Sequence, residues 1–273
     1  MCKHYPAFEL KNVSFSLEEG KITGFIGRNG AGKTTTLKSI FNFLHPDGGD
    51  VRFFSKSFSE NEFDIKQKVG FLSGGVDYYP KKKLKTLTSI TKSFYREWDE
   101  KVYEEYLRMW DLNAEKTPSQ LSAGMRVKYA LAVALSHRAK LLILDEPTSG
   151  LDPVSRDELL DVLMELCGKG VTVLFSTHIT SDLDKCADNI LYIKGGHILA
   201  ESDIRSFVSG YKVLKFHDAL PDGALRQKLI GCRRSKNGYT ALIRAEDARR
   251  INAACSDADL ETIMIHIEKE GEK

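Results

Sequence analysis

Long apolar runs are missing from this 273-residue chain. None approaches the ~18–20 residues that a membrane-crossing helix needs, so a spanning segment is excluded. Paired cysteines are missing too. Cys2, Cys167, Cys186, Cys232 and Cys255 are odd in number and form no CxxC. That pattern reads as free thiols in a reducing compartment, without a disulfide frame or a zinc site. Nor is there an excess of one charge, with 40 Lys and Arg against 38 Asp and Glu. A surface built for nucleic acid is normally strongly basic, so no nucleic-acid partner is expected. The N-terminal MCKHYPAFELKN has no apolar core behind positive charge, so no secretory signal is expected either. The expected location is cytoplasmic, with any service to a membrane rendered through a partner.

What is present is ordinary globular composition, 42% apolar and 29% charged. The length fits one large domain, or one domain with a small appendage. KITGFIG (21–27) reads as a short strand, followed by a glycine-rich turn and a helix over TTTLKSIFNFL. KQKVGFL reads as another strand, and residues 86–113 carry a helical, aromatic pattern. SAGMRVKYALAVALSH puts Val127, Ala130, Leu131, Ala134 and Leu135 on one helix face. LLILD (141–145) and VTVLFST (171–177) are continuous apolar runs, as parallel strands buried on both faces should be. ILYIKGGHILAE predicts a hairpin around Gly195-Gly196. Beyond about residue 205, YKVLKF and CRRSKNGYTALIR predict strands, the latter pair turning at Asn237-Gly238. Helices over AEDARRINAACS and ADLETIMIHIEKE complete a small α+β tail.

GRNGAGKT (27–34) fits G-x-x-x-x-G-K-[ST] in full, placed between a strand and a helix as a phosphate loop must be. Gly30 and Gly32 allow the backbone N–H groups to curl around phosphate oxygens. The helix N-terminus adds partial positive charge. Lys33 is expected on the β- and γ-phosphates, and the Thr34 hydroxyl on Mg²⁺. The nucleotide-binding set is thus Gly27, Arg28, Asn29, Gly30, Ala31, Gly32, Lys33, Thr34 and Thr35.

LLILDEPTSGLDP ends its strand in Asp145-Glu146. Adjacent strand residues face opposite ways, so the two carboxylates are expected to take different tasks. Asp145 suits Mg²⁺, directly or through water. Glu146 suits general-base activation of the attacking water. His178 follows VTVLFST at a strand's carboxyl end, where ligands gather in open α/β sheets. It is a candidate partner for the γ-phosphate and the water; a structural histidine is the other reading.

Taken in order, GRNGAGKTT, LSAGM, LLILDEPTSGLD and STH resemble the motifs of ABC-type ATP-binding subunits over roughly residues 5–205. The resemblance implies an α/β P-loop NTPase core over 1–205, with a helical subdomain about 76–135 and a small antiparallel β subdomain. The α+β tail, 206–273, follows as an accessory region. It also decides between two candidate signature peptides. LSAGM heads a helix, so Ser122 is expected to cap it and, with Ala123 and Gly124, to touch ATP in trans. LSGG at 72–75 follows a strand, and no helix is predicted there. Family members carry a glutamine in that segment, where this chain has Ser73, Gly74 and Gly75; the ion is therefore expected to rely on Thr34, Asp145 and water.

The resemblance further implies ATP hydrolysis, a head-to-tail dimer (of two copies or of this chain with a relative), and a membrane-spanning transporter subunit as partner. Ser149 to Asp152 would form the loop crossing the dimer interface, and Tyr5 would stack on adenine. DYYPKKKLKT (77–86) stands where the family meets its membrane subunit; a solvated basic loop is the alternative reading. HITSDLDKCADNILYIKGGHI and the closing ADLETIMIHI look like the ends of bacterial exporter ATPases, which favours export over import. A soluble ABC-type ATPase acting on ribosomes or nucleic acid is the competing function. The single cassette and the absence of sustained heptads weigh against it.

Overall fold

The structure, a computed structural model, describes residues 1–73, 79–217, 219–221, 223–251 and 254–270. A short antiparallel pair, β1 (Lys3–Tyr5) and β2 (Phe8–Leu10), sets Tyr5 opposite Phe8. β3 (Ile22–Ile26) then leads through the phosphate loop into α1 (Lys33–Ile40). The helix stops four residues short of the predicted end, where Asn42 turns to positive φ. The small hairpin β4 (Arg52–Phe53) and β5 (Lys56–Ser57) precedes α2 (Phe58–Lys66) and β6 (Val69–Ser73).

The predicted helical stretch 86–113 is two helices, α3 (Leu84–Lys92) and α4 (Glu100–Met109), the second capped by the Asp99 carboxylate. α5 (Ala123–Ser136) carries two apolar faces. Val127, Leu131, Ala134 and Leu135 join the central core, whereas Tyr129 and Ala132 join Leu84, Tyr103 and Leu121 in a separate helical cluster. Inside that cluster the Thr88 hydroxyl bridges the phenols of Tyr103 and Tyr129, at 2.7 and 2.8 Å.

β7 (Leu141–Asp145), α6 (Pro153–Gly168), β8 (Thr172–Thr177), α7 (Thr180–Cys186), β9 (Asn189–Lys194) and β10 (His197–Asp203) complete the cassette. The central sheet runs β10-β9-β3-β8-β7-β6, parallel except for β10. Its middle strands β3, β7 and β8 are buried along their whole length, as their unbroken apolar runs require. Consequently the carboxyl ends of β3, β6, β7 and β8 gather at one edge, and the phosphate loop, Asp145-Glu146 and His178 each follow one of them.

The tail contains α8 (Ile204–Ser209), β11 (Tyr211–Phe216), α9 (Ala224–Lys228), β12 (Ile230–Ser235), β13 (Gly238–Arg244), α10 (Ala245–Arg250), β14 (Ser256–Asp257) and α11 (Leu260–Lys269). Its antiparallel sheet is ordered β12-β13-β11-β14. The hairpin loop is Lys236-Asn237, one residue before the predicted turn, since Ser235 pairs with Gly238. Gly238 is needed for another reason: a Cβ there would lie 2.0 Å from the Phe216 carbonyl oxygen of β11.

The tail is fastened to the cassette by α11. The Tyr192 phenol of β9 donates to the Glu268 carboxylate at 2.8 Å. Lys194 donates to the carbonyls of Ile267 and Glu270, closing the helix end. Leu260 and Ile263 of α11 belong to the same apolar cluster as Ile22 and Val173 of the central sheet.

Candidate active site

β3 delivers the chain to Gly27, where a Cβ would stand 2.4 Å from the Ile193 carbonyl oxygen. Only glycine lets the loop turn that close to β9. Gly32 lies at φ +113, and a Cβ there would strike Leu10 and Phe8. No side chain caps the N-terminus of α1, so its first N–H groups are left for an anion. Lys33 is almost fully buried beneath the loop. Its ammonium donates to the Gly27 carbonyl at 2.7 Å and pairs with the Glu146 carboxylate at 3.3 Å.

Glu146 departs from the sequence-based expectation. It takes φ +51, so the strand geometry ends at Asp145 and the two carboxylates do not point to opposite faces. Both converge on the phosphate loop instead. The Thr34 hydroxyl donates to Asp145 Oδ1 at 3.0 Å, while Glu146 Oε1 faces Lys33. The other oxygen of Glu146 meets His178 Nδ1 at 2.9 Å. An ionised carboxylate only accepts, so Nδ1 is the donor in this pair.

Asp145 is surrounded by hydroxyls. Besides Thr34, Ser176 donates to Oδ1 at 2.7 Å, and Ser73 lies 3.5 Å from Oδ2. The segment expected to contribute nothing to the ion thus places one hydroxyl at this carboxylate. Gly74 and Gly75, with Asp77 and Tyr78 of the basic stretch, lie outside the described residues. An all-oxygen set of hydroxyl and carboxylate suits a hard cation such as Mg²⁺.

Thr34, Lys33, Glu146 and His178 line a cleft of about 590 Å³, a size suited to a small ligand, while Asp145 and Gly27 lie buried behind its wall. Arg28, Asn29, Gly30, Gly32, Lys33, Thr34 and Thr35 form one wall, and Glu146, Ser149 and His178 another. Ala31 is buried instead, its N–H held by the Arg28 carbonyl. Ala7 and Phe8 close one end; Tyr5 does not line the cleft and sits on β1 with the Lys3 ammonium over its ring. A larger groove of about 780 Å³ lies between the cassette and the tail, away from all four motifs.

Ser122, Ala123 and Gly124 are also absent from the cleft of their own chain. The Ser122 hydroxyl accepts from the Met125 N–H, capping α5. Asp152 caps α6 through the N–H groups of Val154 and Ser155. The Ser155 hydroxyl, then its N–H, holds that carboxyl below its ordinary range. A Cβ on Gly124 would sit 3.4 Å from that of Ser155 in α6 and 3.9 Å from Leu151 Cδ2, so the buried glycine of the signature packs against the start of α6 and the loop before it.

Sequence reasoning missed Ser176, Phe8 and Asp182. The buried Asp182 accepts from Thr148 at 2.6 Å, joining the loop after β7 to the histidine loop. Ser176 carried one visible sign, the pair of hydroxyl residues Ser176-Thr177 closing an apolar strand.

A phosphate loop under a parallel sheet, a carboxylate pair on the next strand but one and a histidine on the strand between define a P-loop ATPase of the cassette type. The chain belongs to the ABC transporter family, whose model matches residues 10–149. It is an ATP-binding, ATP-hydrolysing cassette. It is 33% identical over 228 residues to the bacitracin transport ATP-binding protein BcrA of Enterococcus faecalis, covering 81% of this chain and 72% of that one. The protein of the same name from Bacillus licheniformis is 31% identical over 193 residues, covering 70% of this chain. The chain spans only 63% of that relative's length. Among solved structures, the dimeric post-hydrolysis state of the ATP-binding cassette MJ0796, bound to ADP and Pi, superposes with a TM-score of 0.64 at 25% identity. That likeness covers 74% of this chain and 94% of the other.

Proposed function

We propose that this cassette powers export by a separate membrane-spanning partner, working as one half of a head-to-tail pair on the inner face of the cell membrane. The observation that carries the pairing is the place of Ser122, Ala123 and Gly124. They lie outside their own cleft, and Gly124 packs beside Leu151 of the loop whose Ser149 lines it. A second cassette facing this one would bring its signature onto the open phosphate side. The substrate class follows the two relatives named for bacitracin transport: an antibiotic of that kind.

Within each cleft, the loop Gly27–Thr35 would hold the phosphates, with Lys33 on the β- and γ-groups. Thr34 and Asp145 would hold Mg²⁺, with Ser73 and Ser176 bonding the Asp145 carboxylate. The ion would supply neutralising charge to the phosphates when bound. Glu146 would take the proton of the attacking water, and His178, fixed through Nδ1, would present Nε2 to the phosphate. The adenine would rest against the β1–β2 pair, where Phe8 is placed better than Tyr5. For the membrane partner, Tyr79 offers a ring that is 69% exposed. The neighbouring Lys83 and Lys85 are both tied to Glu115, whose carboxyl they pull down to about 2.

Ser122→Arg is expected to abolish ATP-driven dimerisation by light scattering while leaving nucleotide affinity of the monomer unchanged. Dimers at wild-type concentration would remove Ser122 from the interface. The reading as a whole is tested by capture from detergent-solubilised native membranes, using tagged Glu146→Gln with ATP and Mg²⁺. A multi-span membrane protein should be recovered; recovery of ribosomes or nucleic acid alone would replace the transport reading with a soluble one.

A further inference from the structure

Ser176 touches both carboxylate-bearing residues of the site with a single hydroxyl. It is completely buried at the penultimate position of β8. Its O–H donates to Asp145 Oδ1 at 2.7 Å, and its oxygen accepts from the Glu146 N–H at 3.0 Å. The two bonds use different capacities of one hydroxyl, a proton and a lone pair, so both are made at once. The second falls where the backbone is least comfortable. Glu146 has φ +51, a region that a residue with a Cβ rarely adopts. The remaining acceptor near its N–H is the Ser176 carbonyl at 3.2 Å.

We propose that Ser176 is a positioning residue for ATP hydrolysis. Its hydroxyl locks the left-handed turn at Glu146 and so sets where that carboxylate points, while fixing the rotamer of Asp145 with the same proton. The proposal rests on the reading of Glu146 as the base. Without the hydroxyl, the turn at Glu146 loses a bond on its buried side and the peptide is free to relax toward strand geometry. That relaxation would swing the carboxylate away from Lys33 and His178. An aim error of about 1 Å at a reacting group costs up to ~10²-fold in rate.

The experiment is steady-state hydrolysis by the full-length chain, with Ser176→Ala, Ser176→Thr and each combined with Glu146→Gln. Ser176→Ala should lower kcat roughly tenfold to a hundredfold, with KM for ATP changed by less than about threefold. Ser176→Thr, which keeps the hydroxyl, should restore most of the rate. In the Glu146→Gln background, Ser176→Ala should add less than about a twofold loss, because no aimed base remains to be misdirected. A full multiplicative loss there would overturn the proposal. So would recovery of the Ser176→Ala rate at saturating Mg²⁺, which would assign the hydroxyl to Asp145 alone. Binding of a fluorescent ATP analogue as a function of Mg²⁺ reads that second arm without turnover. If Ser176→Ala does not fold, Ser176→Thr against Ser176→Cys decides: equal rates overturn the proposal, and a slow thiol variant supports it. Near-normal turnover of Glu146→Gln alone would remove the base reading and this inference with it.

Discussion

Glu146→Gln should bind ATP at least as tightly as the native chain and hydrolyse it at least about a hundredfold more slowly. Both halves of that expectation come from the position of the carboxylate. Oε1 stands 3.3 Å from the Lys33 ammonium and Oε2 stands 2.9 Å from His178, so the group occupies the ground that the terminal phosphate must share. Glutamine keeps the size and removes the charge. The competition for Lys33 then disappears, which favours binding, and the proton acceptor disappears with it, which stops hydrolysis. Single-turnover hydrolysis and equilibrium nucleotide binding, measured on one preparation, separate the two effects. A rate within about threefold of the native value would assign the base to another residue.

Lys33→Ala should be the most damaging change for binding, lowering ATP affinity by more than about a hundredfold, or ~3 kcal/mol. The loss has two parts. One is the missing ammonium, which is nearly buried, held by the Gly27 carbonyl and therefore already aimed. The other is the Glu146 carboxylate, which loses its partner and faces the incoming phosphates as a like charge. The parts are separable. Lys33→Ala combined with Glu146→Gln should bind ATP more tightly than Lys33→Ala alone, since the second change removes the repulsion. Isothermal titration of the four proteins measures this coupling directly. Retained affinity in Lys33→Ala would sink the phosphate-loop assignment; an additive double variant would show that the carboxylate does not oppose the nucleotide.

The middle of the fold was open to reading because parallel strands buried on both faces leave unbroken apolar runs, as LLILD and VTVLFST do. The hairpin at Gly195-Gly196 was legible for a similar local reason: both glycines stand at positive φ in the turn itself. Other elements gave less. α2 buries only Phe58 and Ile65 and breaks its helical geometry at Asn61, so no amphipathic stripe announces it. β1 and β2 are three residues each, too short for a period of two to declare itself. α6 was missed although Leu159, Leu160, Leu163 and Leu166 stand at helical spacing behind an Asp152 cap and Pro153. Gly238 misled in the opposite sense, because a glycine demanded by close approach to β11 looks the same in sequence as a glycine demanded by a turn.

The site divides along the same line. Residue types and order point to Lys33, Thr34, Asp145, Glu146 and His178, since phosphate and metal chemistry needs those groups near strand ends. Direction is a different matter. The left-handed turn at Glu146 is a property of one peptide, and alternation along a strand predicts the reverse of what the chain adopts there. Which of Tyr5 and Phe8 faces the cleft depends on the β1–β2 pairing, and no pattern along the chain records that.

The attachment of α11 has a thermodynamic consequence for the tail. Tyr192 and Lys194 hold that helix from β9, and β9 pairs directly with β3, the strand that ends in the phosphate loop. Opening the tail therefore strips partners from a strand that supports the nucleotide cleft. A ligand that binds only the closed, folded cassette adds its binding free energy to the cost of every opening that disturbs the cleft. The amide protons of residues 260–269 are then among those whose exchange with solvent slows when ATP is bound.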